Sequence, residues 1–273
     1  MGSAEDKKQT TRHEEVFELL PRSWRSQLAA ARCEPVRSGA SGAQVWRLRG
    51  KSSPDRYLKL ATGCHKEQVR QEIIRTAWLG SHGANVPPIL KTVVRPDVAA
   101  ILVAALPGEP IESCDLPPDT VIESLARGLS ALHSLPVEPC PFDETIQTRL
   151  KRAAAAVANK RIDQTHFRSQ NLAMTPEGLF RRLVTSPPLP EDLVVVHGDA
   201  TFTNILMDGS RQIGFIDCGH SGKSDRYTDL ALVGSEIEER YGAEWLRAFY
   251  RSYGLTAWDT RKAEFFLDLY EFF

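Results

Sequence analysis

The run His197-Gly198-Asp199-Ala200-Thr201-Phe202-Thr203-Asn204 puts a histidine, an aspartate and an asparagine at a spacing that can do chemistry. In an H-x-D-x-x-x-x-N loop the aspartate accepts the proton of an attacking hydroxyl and the asparagine holds a divalent metal during phosphoryl transfer. The run follows an apolar stretch, Leu193 to Val196, which as a strand would fix the position of the loop. Beyond Asn204 the chain reads Ile-Leu-Met-Asp208-Gly209-Ser-Arg-Gln-Ile-Gly-Phe-Ile-Asp217. Asp208-Gly209 between two alternating runs is a hairpin turn signal, and folding back there brings Asp217 close to Asn204. Two oxygen donors meeting at one point suit a magnesium ion that keeps several waters.

Asp217-Cys218-Gly219 takes the place of the D-F-G segment of kinases, so a phosphate clamp is expected upstream. Lys59 sits among apolar neighbours in Tyr57-Leu58-Lys59-Leu60, and Glu72 lies on the helix that follows. A strand lysine paired with a helix glutamate is the kinase arrangement for the α- and β-phosphates. Ser38-Gly39-Ala40-Ser41-Gly42 offers small residues that let backbone N–H groups approach phosphate oxygens, without a Walker pattern. His197 is expected to orient the catalytic loop, and His133 to be a core or helix-end histidine holding a backbone group. The tail residues Phe265, Phe266, Leu267, Tyr270, Phe272 and Phe273 read as a packing face at helical spacing.

The elements that must position these groups follow from periodicity. Residues 15–31 read as a helix, and residues 44–48 and 56–61 alternate as half-buried strands. Residues 66–80 form a helix with Val69, Ile73, Ile74, Ala77 and Trp78 on one face and Gly80 as its C-terminal cap. Strands follow near 89–94 and 98–105, and then Pro107-Gly108 punctuates the chain. The stripe Val121, Ile122, Leu125, Leu129 and Leu132 starts a mainly helical region, with Asp119 or Thr120 as N-cap. Further helices are expected near 144–160, 175–184, 228–238, 243–253 and 259–272, the second opened by Thr175-Pro176 in the N-cap then N1-proline order. Short strands at 193–197, 204–207 and 212–217 interrupt them. The fold class is therefore α+β: a small antiparallel lobe over residues 1–105, a larger mainly α lobe over 106–273 carrying the short hairpin, and a cleft between them.

Composition limits the alternatives. The chain has 273 residues, 42% hydrophobic and 25% charged, with a formal net charge of -1, so no bulk field draws it to nucleic acid or anionic lipid. No stretch approaches the roughly 20 apolar residues of a membrane span, and the polar N-terminus has no secretion signal. Five scattered cysteines without a C-x-x-C pair fit reduced thiols in a cytoplasm.

Several of these runs together resemble the aminoglycoside 3'-phosphotransferases. Val194-Val-Val-His-Gly-Asp199-Ala, Gly214-Phe-Ile-Asp217-Cys-Gly219 and Asp225-Arg-Tyr-Thr-Asp229-Leu-Ala231 match the family's signature. Tyr57-Leu-Lys59, Glu72 with Ala77-Trp78-Leu79, Ala105-Leu-Pro-Gly108, Leu132-His133-Ser134-Leu-Pro136 and the terminal Glu271-Phe272-Phe273 fall in the same order. The resemblance covers nearly the whole chain from about residue 35. It implies a two-lobed, protein-kinase-like fold that phosphorylates an aminoglycoside hydroxyl, most simply the 3'-hydroxyl of kanamycin- or neomycin-type drugs, and so confers resistance, with ATP and Mg2+ as cofactors. By it, Asp199 is the catalytic base, Asn204 and Asp217 hold magnesium, Lys59 and Glu72 clamp phosphate, and Ser41 lies in the phosphate loop. Backbone groups of Ala104 and Leu106 would bind adenine. Asp163, Glu271 and the carboxylate of Phe273 would bind the cationic substrate, with no obligatory protein partner.

The sequence also departs from that family. Thr165-His166-Phe167-Arg168-Ser169-Gln170 stands where relatives are rich in Asp and Glu, Tyr270 replaces an acidic residue, and His220 replaces an arginine. Thr201-Phe-Thr203 stands in place of Cys-Leu-Pro. Two other readings stay open at this level: a kinase of another small hydroxylated amine such as choline, homoserine or an aminocyclitol, and a nucleotide-binding protein without turnover.

Overall fold

The computed structural model describes residues 17–29, 31–36, 42–50 and 54–273. The described residues divide into two compact units, one within Met1–Ala77 and Pro87–Leu106, the other formed by Trp78–Val86 and Pro107–Phe273.

In the first unit five strands, β1 (Arg32–Val36), β2 (Gln44–Arg49), β3 (Arg56–Thr62), β4 (Ile89–Val94) and β5 (Val98–Ala104), form one antiparallel sheet in the order β1-β2-β3-β5-β4. Alternation sorts their side chains between two faces. Trp46, Leu48, Leu58 and Leu60 pack on one face with Trp24 and Leu28 of α1 (Arg22–Ala29). Ala61, Ala99 and Ile101 pack on the other with Val69 and Ile73 of α2 (Lys66–Ser81). Strand β1 has no alternating apolar pattern to announce it; it is an edge strand, where Pro35 is tolerated.

Helix α2 corrects two expectations. Ile74 is 40% exposed and Ala77 is exposed, whereas Arg75, Thr76 and Leu79 are buried. Five residues at 3.6 per turn carry Ile74 about 140° away from Val69, off the packed face. The helix also runs through Gly80 to Ser81, and the left-handed residue beyond it is Gly83, with φ 89°.

The second unit holds α3 (Pro118–His133), α4 (Ile146–Ala158), α5 (Pro176–Thr185), α6 (Tyr227–Tyr241), α7 (Ala243–Tyr253) and α8 (Thr260–Tyr270). The α3 stripe of Val121, Ile122, Leu125, Leu129 and Leu132 is buried in one continuous core with Val195, Ile205, Phe215, Leu230 and Phe249. Its start is two to three residues earlier than expected: Pro117 is the cap, and Asp119 lies in the first turn, accepting the Thr120 N–H at 2.7 Å. A proline at N1 supplies the helical φ that an Asp cap would otherwise have organised. Thr175 does cap α5, its Oγ1 accepting the Gly178 N–H at 3.1 Å.

Two small sheets complete this unit. Strand β7 (Leu193–Val196) pairs antiparallel with β10 (Gly222–Asp225), while β8 (Ile205–Met207) and β9 (Ile213–Phe215) form a hairpin that also pairs with β6 (Glu109–Pro110). Strands β6 and β10 are short and polar, and only their partners make them strands. The hairpin reverses where expected but by other means. Asp208 Oδ1 accepts the Ser210 N–H, the Ser210 hydroxyl and the Gln212 N–H, and the left-handed residue is Arg211, with φ 65°, not Gly209. The aspartate side chain takes over the backbone bonding that a tight Asp-Gly turn would have supplied.

Candidate active site

The chain leaves the buried strand β7 at His197, which is fully buried, and turns at Gly198, φ 86°. A Cβ at Gly198 would collide with the carbonyl of His220, so both the dihedral and the close approach require glycine. Asp229 of α6, also fully buried, anchors the turn by accepting the His197 N–H at 2.7 Å and the Gly198 N–H at 2.8 Å. Its carboxylate further accepts from His133 Nε2 at 3.1 Å, and His133 Nδ1 meets the Tyr253 hydroxyl at 2.7 Å. Burial pushes the Asp229 carboxyl up, but the hydrogen bond and charge of His133 outweigh it and its pKa ends below the ordinary value. His133 is thus a core histidine as expected, but it holds two side chains rather than a backbone group.

His197 works within the loop. The Asp199 N–H donates to its Nδ1 at 3.2 Å, which places the ring proton on Nε2, and Nε2 donates to the Ile216 carbonyl at 2.8 Å. The loop is thereby tied to the last residue before Asp217. The Ile216 N–H also donates to the Asn204 carbonyl at 3.0 Å, so Asn204 and Asp217 are neighbours across the hairpin. Asp217 adopts a left-handed backbone, φ 57° and ψ 46°, which costs an L residue about 1–2 kcal/mol. Asp199 receives Asn204 Nδ2 on Oδ2 at 2.8 Å and the Tyr270 hydroxyl on Oδ1 at 2.5 Å. Burial raises the Asp199 pKa above the usual carboxylate value, with the Asp217 charge adding to it and the Tyr270 and Asn204 bonds working against it.

The donor set fits magnesium. With its Nδ2 committed to Asp199, Asn204 keeps Oδ1 as a ligand atom, and Asp217 adds a carboxylate. Among the described residues no group of three or more His, Cys, Asp or Glu could hold a metal. Two hard oxygens supplemented by water and phosphate oxygens are the usual magnesium pattern, not an all-protein cage.

In the first unit Lys59 projects from the β3 face opposite Leu58 and Leu60, and its Nζ lies 2.8 Å from Glu72 Oε2 on α2. Both side chains are largely buried, at 14% and 13% exposure, where a charge requires its partner. Ala104 ends β5 with its N–H donated to the Pro88 carbonyl at 2.9 Å, and Leu106 lies two residues on. Ser41 lies outside the described residues.

The C-terminal tail and the loop before α5 form one polar knot. Arg168 binds Glu271 Oε1 at 3.1 Å, Glu264 at 3.4 Å and also Asp268, while Arg182 binds Asp268 at 2.5 Å. Asn171 donates to both Asp268 and Glu271. Glu271 is therefore already engaged, and its side chain is 4% exposed. Asp163 accepts the Thr165 N–H and hydroxyl and so caps its own short turn. Phe272 is buried between the rings of Phe167 and Phe180, whereas Phe273 is exposed, with the Arg149 and Arg152 guanidiniums 4.7 and 5.4 Å from its ring. Burial holds the Arg149 pKa down to about 10 while Asp229, Tyr270 and Asp199 pull it up.

Comparison with known proteins gives the family. Residues 32–266 match the model of the phosphotransferase enzyme family. The chain belongs to that family. It is 32% identical over 240 residues to an aminoglycoside 3'-phosphotransferase of Escherichia coli, covering 86% of this chain and 88% of the relative. Its structure superposes on the crystal structure of an aminoglycoside 3'-phosphotransferase of type VIII with a TM-score of 0.85 at 32% identity, covering 95% and 98% of the two chains. An aminoglycoside phosphotransferase of Streptomyces rimosus, solved with ADP and streptomycin, gives a TM-score of 0.79 at 26% identity over 91% and 95%. The fold is thus the two-lobed, protein-kinase-like α+β fold of these enzymes.

The residues that spacing singled out fall into two groups: Asp199, Asn204 and Asp217 converge in one unit, and Lys59 and Glu72 pair in the other. Sequence reasoning missed the hydroxyl of Tyr270 on Asp199, the anchoring role of Asp229, and Glu236. Asp229 stood in the quoted signature without a role attached. Glu236 accepts the Phe202 N–H at 2.6 Å within the loop, and nothing in a helical run of acids marks it out.

Proposed function

We propose that this chain is an aminoglycoside 3'-phosphotransferase, moving the γ-phosphoryl group of ATP onto the 3'-hydroxyl of a kanamycin- or neomycin-type drug and thereby conferring resistance. The observation that carries the reading is the convergence of Asp199, Asn204 and Asp217 on one hairpin, in a chain about a third identical to enzymes of that name.

In this reading residues 1–105 are the nucleotide lobe and 106–273 the catalytic and acceptor lobe. Lys59, held by Glu72, orients the α- and β-phosphates; Ser41 lies over the phosphates; Ala104 and Leu106 bind adenine through backbone groups. Asn204 and Asp217 hold Mg2+, which when bound neutralises charge on the phosphates. Asp199 takes the proton of the acceptor hydroxyl as its oxygen bonds to the γ-phosphorus and the bridge to the β-phosphate breaks, releasing ADP. The pKa raised by burial makes Asp199 a stronger proton acceptor than an exposed carboxylate. Because phosphoryl transfer needs mainly positioning and charge stabilisation, the fixed loop is the chief contribution of the fold. Asp163, Glu271 and the terminal carboxylate of Phe273 meet the ammonium groups of the acceptor. ATP as donor places the reaction in the cytoplasm, and no described helix is long and apolar enough to cross a membrane. Neither nucleic acid nor an obligatory protein partner enters the scheme.

One observation favours a second reading, a kinase of a less cationic hydroxylated amine: Arg168 and Arg182 already pair with the acids of the tail. The two are separated by ATP consumption with Mg2+, with and without kanamycin, on the wild type and Asp199→Ala. Kanamycin-dependent turnover that disappears in Asp199→Ala is the expected result. Turnover with choline or an aminocyclitol but not kanamycin selects the second reading, and drug-dependent turnover surviving in Asp199→Ala overturns the assignment of Asp199 as the base.

A further inference from the structure

The Tyr270 hydroxyl donates to Asp199 Oδ1 at 2.5 Å, while Asn204 holds Oδ2. Both oxygens of the carboxylate are therefore engaged, and the partner on Oδ1 is an alcohol-like O–H of the kind the base is meant to receive. We propose that Tyr270 is a positioning residue that stands in for the acceptor at Asp199 Oδ1, keeps water from being activated there, and selects acceptors able to displace it. The inference rests on the reading of Asp199 as the base.

The geometry allows the exchange. Tyr270 ends α8, and the residues after it are pinned independently: Glu271 by Arg168 and Asn171, and Phe272 by the rings of Phe167 and Phe180. Its own ring is only partly buried, so it can turn away without the tail being released. Burial and the nearby Asp199 charge raise the Tyr270 pKa, so the phenol remains a donor and never a competing base. Water is always present as an alternative acceptor for a phosphoryl group, and a base already holding a hydroxyl proton donor cannot deprotonate it. A purely structural tyrosine would need no partner as critical as this carboxylate.

The test uses the full-length chain with ATP, Mg2+ and kanamycin as the probe acceptor. Removing one hydrogen bond to a charged group corresponds to a change of about tenfold. Tyr270→Phe should therefore raise acceptor-independent ATP hydrolysis about tenfold and lower the KM for kanamycin by a similar factor, with kcat changed less than about threefold. Tyr270→Met gives a second hydroxyl-free variant, so a folding defect in one does not decide the matter. In Tyr270→Phe combined with Asp199→Asn the extra hydrolysis should vanish. Unchanged or slower hydrolysis with an unchanged KM overturns the proposal, as does extra hydrolysis that persists without Asp199. If Asp199→Asn alone keeps wild-type turnover, the base assignment itself falls and takes this inference with it. If that variant is dead while Tyr270→Phe behaves as wild type, only the role of Tyr270 falls.

Discussion

The substitution Asp229→Asn isolates what holds the catalytic loop in place. The carboxylate accepts from the His197 and Gly198 N–H groups and from His133, all in a fully buried setting. An asparagine can still accept from Gly198 with its one oxygen, and His133 can change tautomer to accept from the new NH2. The His197 N–H then faces a donor and is orphaned, which costs about 1–3 kcal/mol, and loss of the charge on the remaining bonds adds about 1 kcal/mol. The sum, about 2–4 kcal/mol, corresponds to a fall in Tm of about 5–15 °C for a chain of this size. Because the loop carrying Asp199 loses its anchor, kcat should fall about a hundredfold, the usual effect of a displacement near 1 Å.

Asp225→Asn supplies the control. Asp225 is equally buried and accepts from the Asp192 N–H, the Tyr227 N–H and Lys262 Nζ, but it lies opposite Leu193 at the far end of β7. It should lose comparable stability with kcat changed less than about threefold. Thermal melts and steady-state kinetics well below both melting temperatures decide between the outcomes. Equal losses of kcat in the two variants would refute the anchoring role of Asp229, and a Tm within about 2 °C of wild type in Asp229→Asn would refute the energetics.

Two further perturbations bear on charge. Burial pushes Glu236 up from 4.5 to about 7, so its stabilising protonated form is fully present below pH 4.5 and is lost as pH rises through about 7. Glu236→Gln, which mimics that form and still accepts the Phe202 N–H, should therefore gain about 2 kcal/mol on the wild type between pH 5.5 and pH 8.5, and a difference independent of pH in denaturant titrations would count against it. Arg168→Gln leaves the nearly buried Glu271 with only the Asn171 amide among the described residues and should cost about 3 kcal/mol. Neomycin should raise the Tm of that variant more than that of the wild type, and a variant as stable as wild type would contradict the reading of the knot.

What the sequence made legible is what depends on short spacing. Asp199 and Asn204 are five positions apart, and one hairpin separates Asn204 from Asp217, so local chain geometry alone brings them together. Lys59 was legible because strand alternation puts a charge where it must find a partner, and the α3 stripe because burial follows the helical period. Tyr270 and Asp199 are 71 positions apart, His133 and Asp229 are 96, and Arg168 and Glu271 are 103. No periodicity encodes such pairs: a tyrosine near the end of an amphipathic helix reads as packing until the fold puts a carboxylate against its hydroxyl. The hairpin at Asp208 forms where its sequence predicts, but by other means, since one aspartate side chain can do what a glycine does by conformation.

The same limit bears on substrate choice. Counting acids along the tail gives Glu264, Asp268 and Glu271, which suit a polycation. In the folded chain those three carboxylates face the two guanidiniums of Arg168 and Arg182, so the local field is close to that of a single negative charge. Steering of a polycation depends on that net field and not on the number of acids. Arg168 falls in the loop where the family resemblance leads one to expect acids, so one residue both replaces an expected negative charge and neutralises others. Glu271 therefore offers a cationic acceptor less attraction than its formal charge suggests, because Arg168 already offsets that charge.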